Sequence, residues 1–213
     1  MFLKNEWKTK ILSLCAAVFT LNGIILIQSR GSFLALIIGA LSAIFFAKKE
    51  LKKTIVLCLV FALIGGIYLT NESFWERMST LDTDVDSLDA SAQSRLEVWG
   101  AAFEMVKDYP LGVGVGNSQK LMATYRPTLE GLDIHNTYLR CYADLGYLGL
   151  FIMLIIIINA YRLLSGTLKK AYFFNVDEEF FWHIYGVKIG LTSFLIAGTF
   201  VSATYTEAFY WLL

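Results

Sequence analysis

The sequence predicts an all-α protein: a polytopic transmembrane helical bundle with a long, mainly helical extracytoplasmic loop. Hydrophobic residues make up 56% of the 213-residue chain and charged residues only 17%, whereas soluble domains have about 25% charged residues. The apolar residues gather into five runs of roughly the length that a bilayer core requires. Between the third and fourth runs lies a polar segment of about seventy-five residues, too long for a passive connection.

The overall charge excludes two classes of protein. Eighteen basic and eighteen acidic side chains give a formal net charge of zero, which argues against a basic nucleic-acid binder and against an acidic disordered chain. We therefore expect no nucleic-acid partner. The three cysteines form no CxxC pair, so the sequence offers no sign of a disulfide framework.

The five runs define the expected membrane spans. A helix needs about 20 apolar residues to cross the hydrocarbon core, with about 17 as a practical minimum. The runs cover residues 11–27, 33–47, 54–70, 147–164 and 184–203. A sixth begins at Ala208 and stops at Leu213, so we expect the natural protein to be longer.

This pattern predicts three domains. Residues 1–70 form three transmembrane helices, residues 71–146 form an extracytoplasmic loop domain with an amphipathic helix, and residues 147–213 form two transmembrane helices and the start of a truncated third. Lysine and arginine accumulate in cytoplasmic loops of membrane proteins. Here they precede the first run and separate the second from the third and the fourth from the fifth: Lys4, Lys8, Lys10, Lys48, Lys49, Lys52, Lys53, Arg162, Lys169, Lys170 and Lys188. We therefore place the N-terminus in the cytoplasm and the loop domain outside, where acidic residues outnumber basic ones.

Small residues predict how two of the spans pack. The second run carries a small residue at every fourth position: Gly31, Ala35, Gly39, Ala43 and Ala47. Such a stripe lets another helix approach closely in lipid. We expect Gly186 and Gly190 to play the same part in the fifth run.

The loop domain contains a predicted amphipathic helix. It begins after a capping residue at Asp89 or Ser91 and ends before Pro110. Its apolar face consists of Leu96, Trp99, Phe103 and Val106, and we expect that face to lie on the transmembrane bundle or in the headgroup layer. Arg95 is four residues before Trp99, so the guanidinium and the indole share a face.

Two loop motifs have both a structural and a functional interpretation. Residues 110–117 read PLGVGVGN, which resembles a phosphate cradle but lacks the Lys-Ser/Thr of a P-loop. We favour a tight structural turn, while its backbone N–H groups could still contact a pyrophosphate. Residues 81–89 carry alternating carboxylates like a calcium loop, but Ser87 and Gln93 replace the glycine and glutamate that such a loop requires. We favour a solvated linker and expect no metal site.

Two side chains are suited to chemistry at the external interface. His135 can take a proton from a hydroxyl at neutral pH; the alternative is a helix-capping or interface histidine, and position alone does not separate the two. Arg30 lies between two closely spaced runs with no acidic neighbour, so an anionic lipid or a lipid-linked phosphate is its expected counter-ion. The alternative is an arginine that extends to the interface to be solvated.

The order of these motifs resembles a known family. The chain carries Ser29-Arg30-Gly31, then Arg95 four residues before Trp99, then the turn at 110–117, and then HNTYL at 135–139 followed by LGYLG at 145–149. This set is similar to the O-antigen ligase family and its relatives, the bacterial polysaccharide polymerases and protein O-oligosaccharyltransferases. The resemblance covers residues 20–213 and corresponds to the C-terminal half of the family.

The resemblance implies a glycosyltransferase that moves a glycan from an undecaprenyl pyrophosphate donor to an acceptor outside the bacterial inner membrane. The acceptor would be a glycan, the lipid A core or another hydroxyl compound, and no metal or cofactor would take part. By match to the family motifs, Arg30 and Arg95 would bind the pyrophosphate, and His135 would act as base toward the acceptor or orient it. Arg126 and Lys120 are weaker candidates for phosphate contact, as the remaining bases between the motifs.

Three alternatives stay open, and one of them is a metal-dependent transferase that uses the aspartates of residues 81–89. An O-antigen or exopolysaccharide polymerase of the same family differs from a ligase only in its acceptor. A non-catalytic membrane fragment predicts that Arg30, Arg95 and His135 do not converge, because a separation beyond about 15 Å is too great for one diphosphate and its acceptor.

Overall fold

The computed structural model describes residues 6–27, 29–70, 72, 90–174, 176 and 178–206. All regular elements among these residues are helical, which confirms the all-α prediction. They are α1 (Glu6–Ile27), α2 (Arg30–Phe46), α3 (Lys49–Leu69), α4 (Ala90–Asp108), α5 (Ser118–Tyr125), a 3₁₀ turn (Pro127–Leu129), α6 (Thr137–Phe173) and α7 (Glu178–Ala197). The acidic run at 81–89 and the apolar run from Ala208 lie outside the described residues.

Five of the helices correspond to the five apolar runs. In α3, α6 and α7, the segments Lys49–Tyr68, Thr137–Phe173 and Glu179–Ala197 are long and apolar enough to cross a membrane, whereas the apolar helices Lys10–Leu26 and Gly31–Phe46 are shorter. On α1, α2 and α3 the side chains of Phe19, Phe45 and Leu63 are more than 60% exposed, as suits helices surrounded by lipid. The chain is therefore a helical membrane protein.

The small-residue stripe of α2 packs against α7 and the residues that follow it, as predicted. A Cβ on Gly31 would lie 2.6 Å from the Cβ of Phe200, and one on Gly39 would overlap the Ser193 hydroxyl. Side chains cannot approach this closely, so only glycine permits the contact. The Tyr185 hydroxyl donates a hydrogen bond to the backbone carbonyl of the stripe, at Ala43.

Two predictions about α7 are wrong. A Cβ at Gly186 or Gly190 would meet no other atom within 4 Å, so neither glycine provides a close helix approach. Lys188 lies in the middle of α7 and not in the connection before it. Its Nζ is 3.8 Å from the ring centre of Phe46 and 5.1 Å from that of Tyr161. The negative faces of these rings attract the cation and make the buried position tolerable.

The helix α6 consists of two parts joined at Gly146. That residue has φ 68° and ψ −164°, a conformation that only glycine adopts without strain. The first part, residues 137–145, packs against α4, and residues 147–173 continue as the longer part. The apolar run at residues 147–164 lies within this longer part.

The helix α4 forms the centre of the loop domain and packs against α5 and the first part of α6. Its existence is confirmed, and the residues of its predicted apolar face are divided between the packed contact and the exposed surface. Leu96 and Phe103 are 53% and 54% exposed, whereas Ala101 and Met105 are completely buried. Ala101 and Met105 thus belong to the packed cluster that α4 forms with α5 and α6, whereas Leu96 and Phe103 lie outside it.

Candidate active site

His135 lies at the tip of the turn that leads into α6. Its φ is 50°, a region that non-glycine residues rarely occupy and that often marks functional turns. The imidazole is 53% exposed. The cap of α6 is the neighbouring residue, Asn136, whose side chain accepts the backbone N–H of Leu139 at 2.9 Å. The capping role therefore belongs to Asn136 and not to His135.

Thr137 anchors this turn to the segment that follows α7. Its side-chain oxygen donates to the carbonyl of Val201 at 2.6 Å and accepts the backbone N–H of Ala203 at 2.9 Å. Its backbone N–H donates to Gly198 at 2.7 Å, and its carbonyl accepts the Thr204 hydroxyl at 2.7 Å. The residue is 1% exposed. Four hydrogen bonds thus fix the position of the backbone two residues after His135.

The start of α2 reaches the same place through Phe200. Gly31 packs against Phe200, which belongs to the segment that Thr137 anchors. Ser29 caps α2 by accepting the backbone N–H of Ser32 at 3.3 Å. The backbone of Arg30 therefore begins α2 close to the His135 turn, and the Arg30 side chain lies outside the described part of the structure.

Trp99 ties α4 to the residue before His135. Its indole N–H donates to the carbonyl of Ile134 at 2.8 Å. Arg95 lies four residues, about one helical turn, before Trp99 on the same face, about 6 Å along the axis. The Arg95 side chain is half-buried and forms no ion pair or hydrogen bond within the described part of the chain. The Trp99 hydrogen bond thus brings the face of α4 that carries Arg95 next to the residue before His135.

A charged network extends inward from His135. One carboxylate oxygen of Asp133 lies 3.6 Å from Nδ1 of His135. The other accepts hydrogen bonds from Arg140 at 2.8 Å and from the Gln119 amide at 3.1 Å. Nε of Arg140 then lies 3.7 Å from the carboxylate of Asp144, whose side chain is completely buried. A carboxylate beside one imidazole nitrogen can orient the ring, so the arrangement can support a general base.

The glycine-rich turn binds a carboxylate of the protein itself. The backbone N–H groups of Gly116 and Ser118 each donate to Asp144 at 3.1 Å, and that of Gly114 donates to the Asp144 carbonyl at 2.8 Å. Backbone N–H groups of a turn that point at one site bind an anion, and the anion here is the Asp144 carboxylate. The structural interpretation of residues 110–117 is confirmed.

Tyr205 completes the surroundings of Asp144. Its hydroxyl donates to the carboxylate at 2.8 Å, and its ring centre lies 5.5 Å from the guanidinium carbon of Arg140. Burial, followed by the hydrogen bond to Asp144, raises the pKa of Tyr205 well above its usual range. Tyr205 therefore stays protonated and keeps donating at neutral pH.

Arg126 has a charge partner of its own. Its guanidinium donates to both carboxylate oxygens of Glu104, at 2.7 and 3.1 Å. The hydrogen bond to Arg126 lowers the pKa of Glu104, and the same bond raises the pKa of Arg126. Both side chains are nearly half exposed, so the pair is solvated. Lys120 is exposed on α5.

Three residues of the network escaped the sequence reasoning as a group: Asp133, Arg140 and Asp144. They counted there only as charges of an acidic loop. A signal was present, because Arg140 and Asp144 are four residues apart and share a helix face. An acid next to an apolar span also needs partners when it is buried.

The comparison with known proteins agrees with the order of the motifs. No curated protein and no solved structure matches the chain. The sequence model of the O-antigen ligase family matches residues 15–154, well over half of the chain. The matched region includes Arg30, Arg95 and His135. The chain therefore belongs to the O-antigen ligase family.

Proposed function

We propose that the protein transfers a glycan from an undecaprenyl pyrophosphate donor to an acceptor hydroxyl outside the bacterial inner membrane. One observation carries the proposal: the start of α2, the Arg95 face of α4 and His135 converge on one turn. The Trp99 and Thr137 hydrogen bonds hold that convergence. A reaction between a diphosphate sugar and an acceptor requires cations and a base within one site, so this convergence supports an enzyme over a non-catalytic fragment.

His135 is the proposed base. The acceptor oxygen attacks the anomeric carbon of the donor sugar, and the bond between that carbon and the diphosphate oxygen breaks. The hydroxyl proton passes to Nε2 of His135, since Nδ1 is directed at Asp133. The Asp133 carboxylate stabilises the imidazolium that forms, and Arg140 holds Asp133 in place.

The proposed role of Arg95 and Arg30 is to bind the diphosphate. The departing undecaprenyl diphosphate keeps the electron pair of the broken bond, so negative charge grows on its oxygens. A guanidinium can bind two such oxygens at once and stabilise that charge. Arg95 is suited to this role because its charge has no carboxylate partner among the described residues. Arg126 is a weaker candidate, because Glu104 already occupies both sides of its fork. In this proposed reaction the donor is already activated and the arginines stabilise the leaving group, so no step requires a metal or cofactor.

The proposed orientation places the N-terminus in the cytoplasm and residues 71–146 outside. The distribution of lysines supports this orientation. Lysines cluster at the end of α2, at the start of α3 and at the end of α6: Lys48, Lys49, Lys169 and Lys170. Those helix ends are opposite the ends at the His135 turn, and lysine-rich ends favour the cytoplasm. Reporter fusions at the two ends of α6 test this topology.

The direct test uses the complete protein in liposomes. With a glycan on undecaprenyl pyrophosphate and a hydroxyl acceptor, we expect a glycosylated acceptor and free undecaprenyl diphosphate in equal amounts, with or without a chelator. Hydrolysis of the donor without any transfer, under conditions where the protein is folded, would contradict the proposal.

A deletion strain distinguishes the two acceptors. Loss of the ladder of glycan repeat lengths indicates a polymerase, in which the acceptor is another glycan. A ladder that persists on the lipid carrier, together with unmodified lipopolysaccharide core, indicates a ligase. Both outcomes keep the same donor and the same base.

A further inference from the structure

A cavity lined by three lysines lies at the end of the bundle that is opposite the His135 turn. It is an open cavity of about 570 Å³ between the α2–α3 connection, the end of α6 and the start of α7. This volume is in the range of ligand sites, about 300–1,000 Å³. Lys48, Lys49 and Lys169 line the cavity, and none of the described residues that line it is acidic.

Aromatic side chains give the cavity a fixed wall. Nζ of Lys48 lies 4.3 Å from the ring centre of Phe181 and 5.0 Å from that of Tyr172, which holds the ammonium group in place. Phe46 also lines the cavity, and Nζ of Lys188 lies over its ring. The arrangement is therefore more ordered than a group of solvated surface lysines.

The charge of this cavity has no counter-ion within the described part of the chain. Lys48, Lys49 and Lys169 form no ion pair there, and like charges in a confined space repel unless an anion binds between them. The surroundings select the kind of anion. Phe45 and Phe173 beside the cavity are 77% and 81% exposed, so apolar surface adjoins the lysines. An anion that carries hydrocarbon satisfies both the lysines and these apolar surfaces.

We propose that this cavity binds the phosphate of an anionic phospholipid, whose acyl chains lie along the exposed faces of α2 and α6. Basic pockets between transmembrane helices at the cytoplasmic surface bind headgroups of this kind. Residues 147–173 of α6, about 40 Å of helix, separate the cavity from the His135 turn. The lipid is thus distinct from the glycan donor, and its binding does not depend on the proposed transfer reaction.

A pair of double variants tests the site. Lys49→Gln with Lys169→Gln removes two charges from the cavity, and both side chains are exposed, so the fold should persist. Lys52→Gln with Lys53→Gln removes the same charge from exposed positions of α3 that do not line the cavity. The complete protein is placed in phosphatidylcholine nanodiscs with added phosphatidylglycerol, and native mass spectrometry counts the phosphatidylglycerol that each variant retains.

The wild type and the Lys52/Lys53 variant should retain phosphatidylglycerol, and the Lys49/Lys169 variant should retain it about tenfold less. Similar retention by the two double variants would overturn the proposal, because only general surface charge would then matter. A second probe, inorganic phosphate, should not displace the lipid. Displacement at concentrations comparable to those of the lipid would identify a site for a soluble anion and contradict the phospholipid assignment.

Discussion

A methyl group on Gly112 would lie 2.5 Å from the amide nitrogen of Gly146. The backbones of the glycine-rich turn and of the α6 kink therefore cross in contact, and both residues have positive φ, 86° and 68°. We expect Gly112→Ala and Gly146→Ala each to lower the free energy of unfolding by about 2–5 kcal/mol, through strain and overlap together. Thermal unfolding in detergent measures the change.

The matched control for this prediction is Gly190→Ala. Gly190 lies in α7, which packs in the bundle, but a Cβ on this glycine would meet nothing within 4 Å. Gly190→Ala should leave the free energy of unfolding unchanged or raise it by up to about 1 kcal/mol, because alanine is the better helix former. Equal effects at Gly112 and Gly190 would show that the two backbones do not touch.

The carboxylate of Asp144 should be the most costly charge of the loop domain to remove. Asp144→Asn leaves Arg140 without its buried partner and weakens the bonds from Gly116, Ser118 and Tyr205. We expect a loss of about 3–5 kcal/mol in unfolding free energy. Asp108→Asn is the control.

Asp108 also accepts a tyrosine hydroxyl, from Tyr125 at 2.8 Å, but it is exposed. Its replacement should cost less than about 1 kcal/mol. If Asp144→Asn were no more destabilising than Asp108→Asn in the same thermal scan, the network around the glycine-rich turn would not be a stabilising element.

The stability of the protein should fall at alkaline pH partly through Tyr205. Its pKa is raised by burial and by the hydrogen bond to Asp144, so the folded state binds the phenolic proton more tightly than the unfolded state does. This contribution is complete below the unfolded pKa of about 10 and is lost as pH rises toward the folded value. Between about pH 8 and pH 11, the wild type should lose more unfolding free energy than Tyr205→Phe.

Tyr109→Phe serves as the control for the pH series, since Tyr109 is an exposed tyrosine of the same domain. Its pH dependence should follow that of the wild type. A Tyr205→Phe curve parallel to the wild type would mean that the Tyr205 phenol does not titrate against Asp144.

Arg95 and Arg126 should differ in their effect on glycan transfer. Arg95→Gln removes a guanidinium that has no partner among the described residues, and we expect the transfer rate to fall about 10²- to 10³-fold. Arg126→Gln removes one that Glu104 already pairs, and the loss should be smaller than tenfold. Initial rates in liposomes measure both. A larger loss for Arg126→Gln would assign the main diphosphate contact to Arg126 and not to Arg95.

Local patterns predicted much of the fold. Apolar runs specify α1, α2, α3 and the two later spans because lipid demands an apolar helix surface, and the repeat from Gly31 to Gly39 predicted the contact with α7. These signals reside within single segments. Contacts between distant segments left no comparable signal: the burial of Ala101 in place of Leu96 depends on how α4 meets α6, and Lys188 is tolerated only because Phe46 and Tyr161 surround it.

The single residues of the candidate site could be predicted from the sequence, but the contacts between them could not. His135 and Arg95 stood out as single residues in motifs. The sequence also suggested that the turn at 110–117 is structural, but not that its anion is Asp144, which lies beyond α5 in the chain. Nor did it reveal that Asn136 caps α6 and leaves His135 exposed. Such pairings depend on the packed loop domain.

The most direct test of the central claim compares the two histidines of the chain. His135 lies at the convergence of the motifs, whereas His183 lies on α7, where its ring nitrogen is 2.7 Å from the Glu179 carbonyl. In the complete protein, His135→Ala should reduce glycan transfer about 10²- to 10⁴-fold with unchanged thermal stability, and His183→Ala should transfer at the wild-type rate. Transfer by His135→Ala at the wild-type rate would contradict the account.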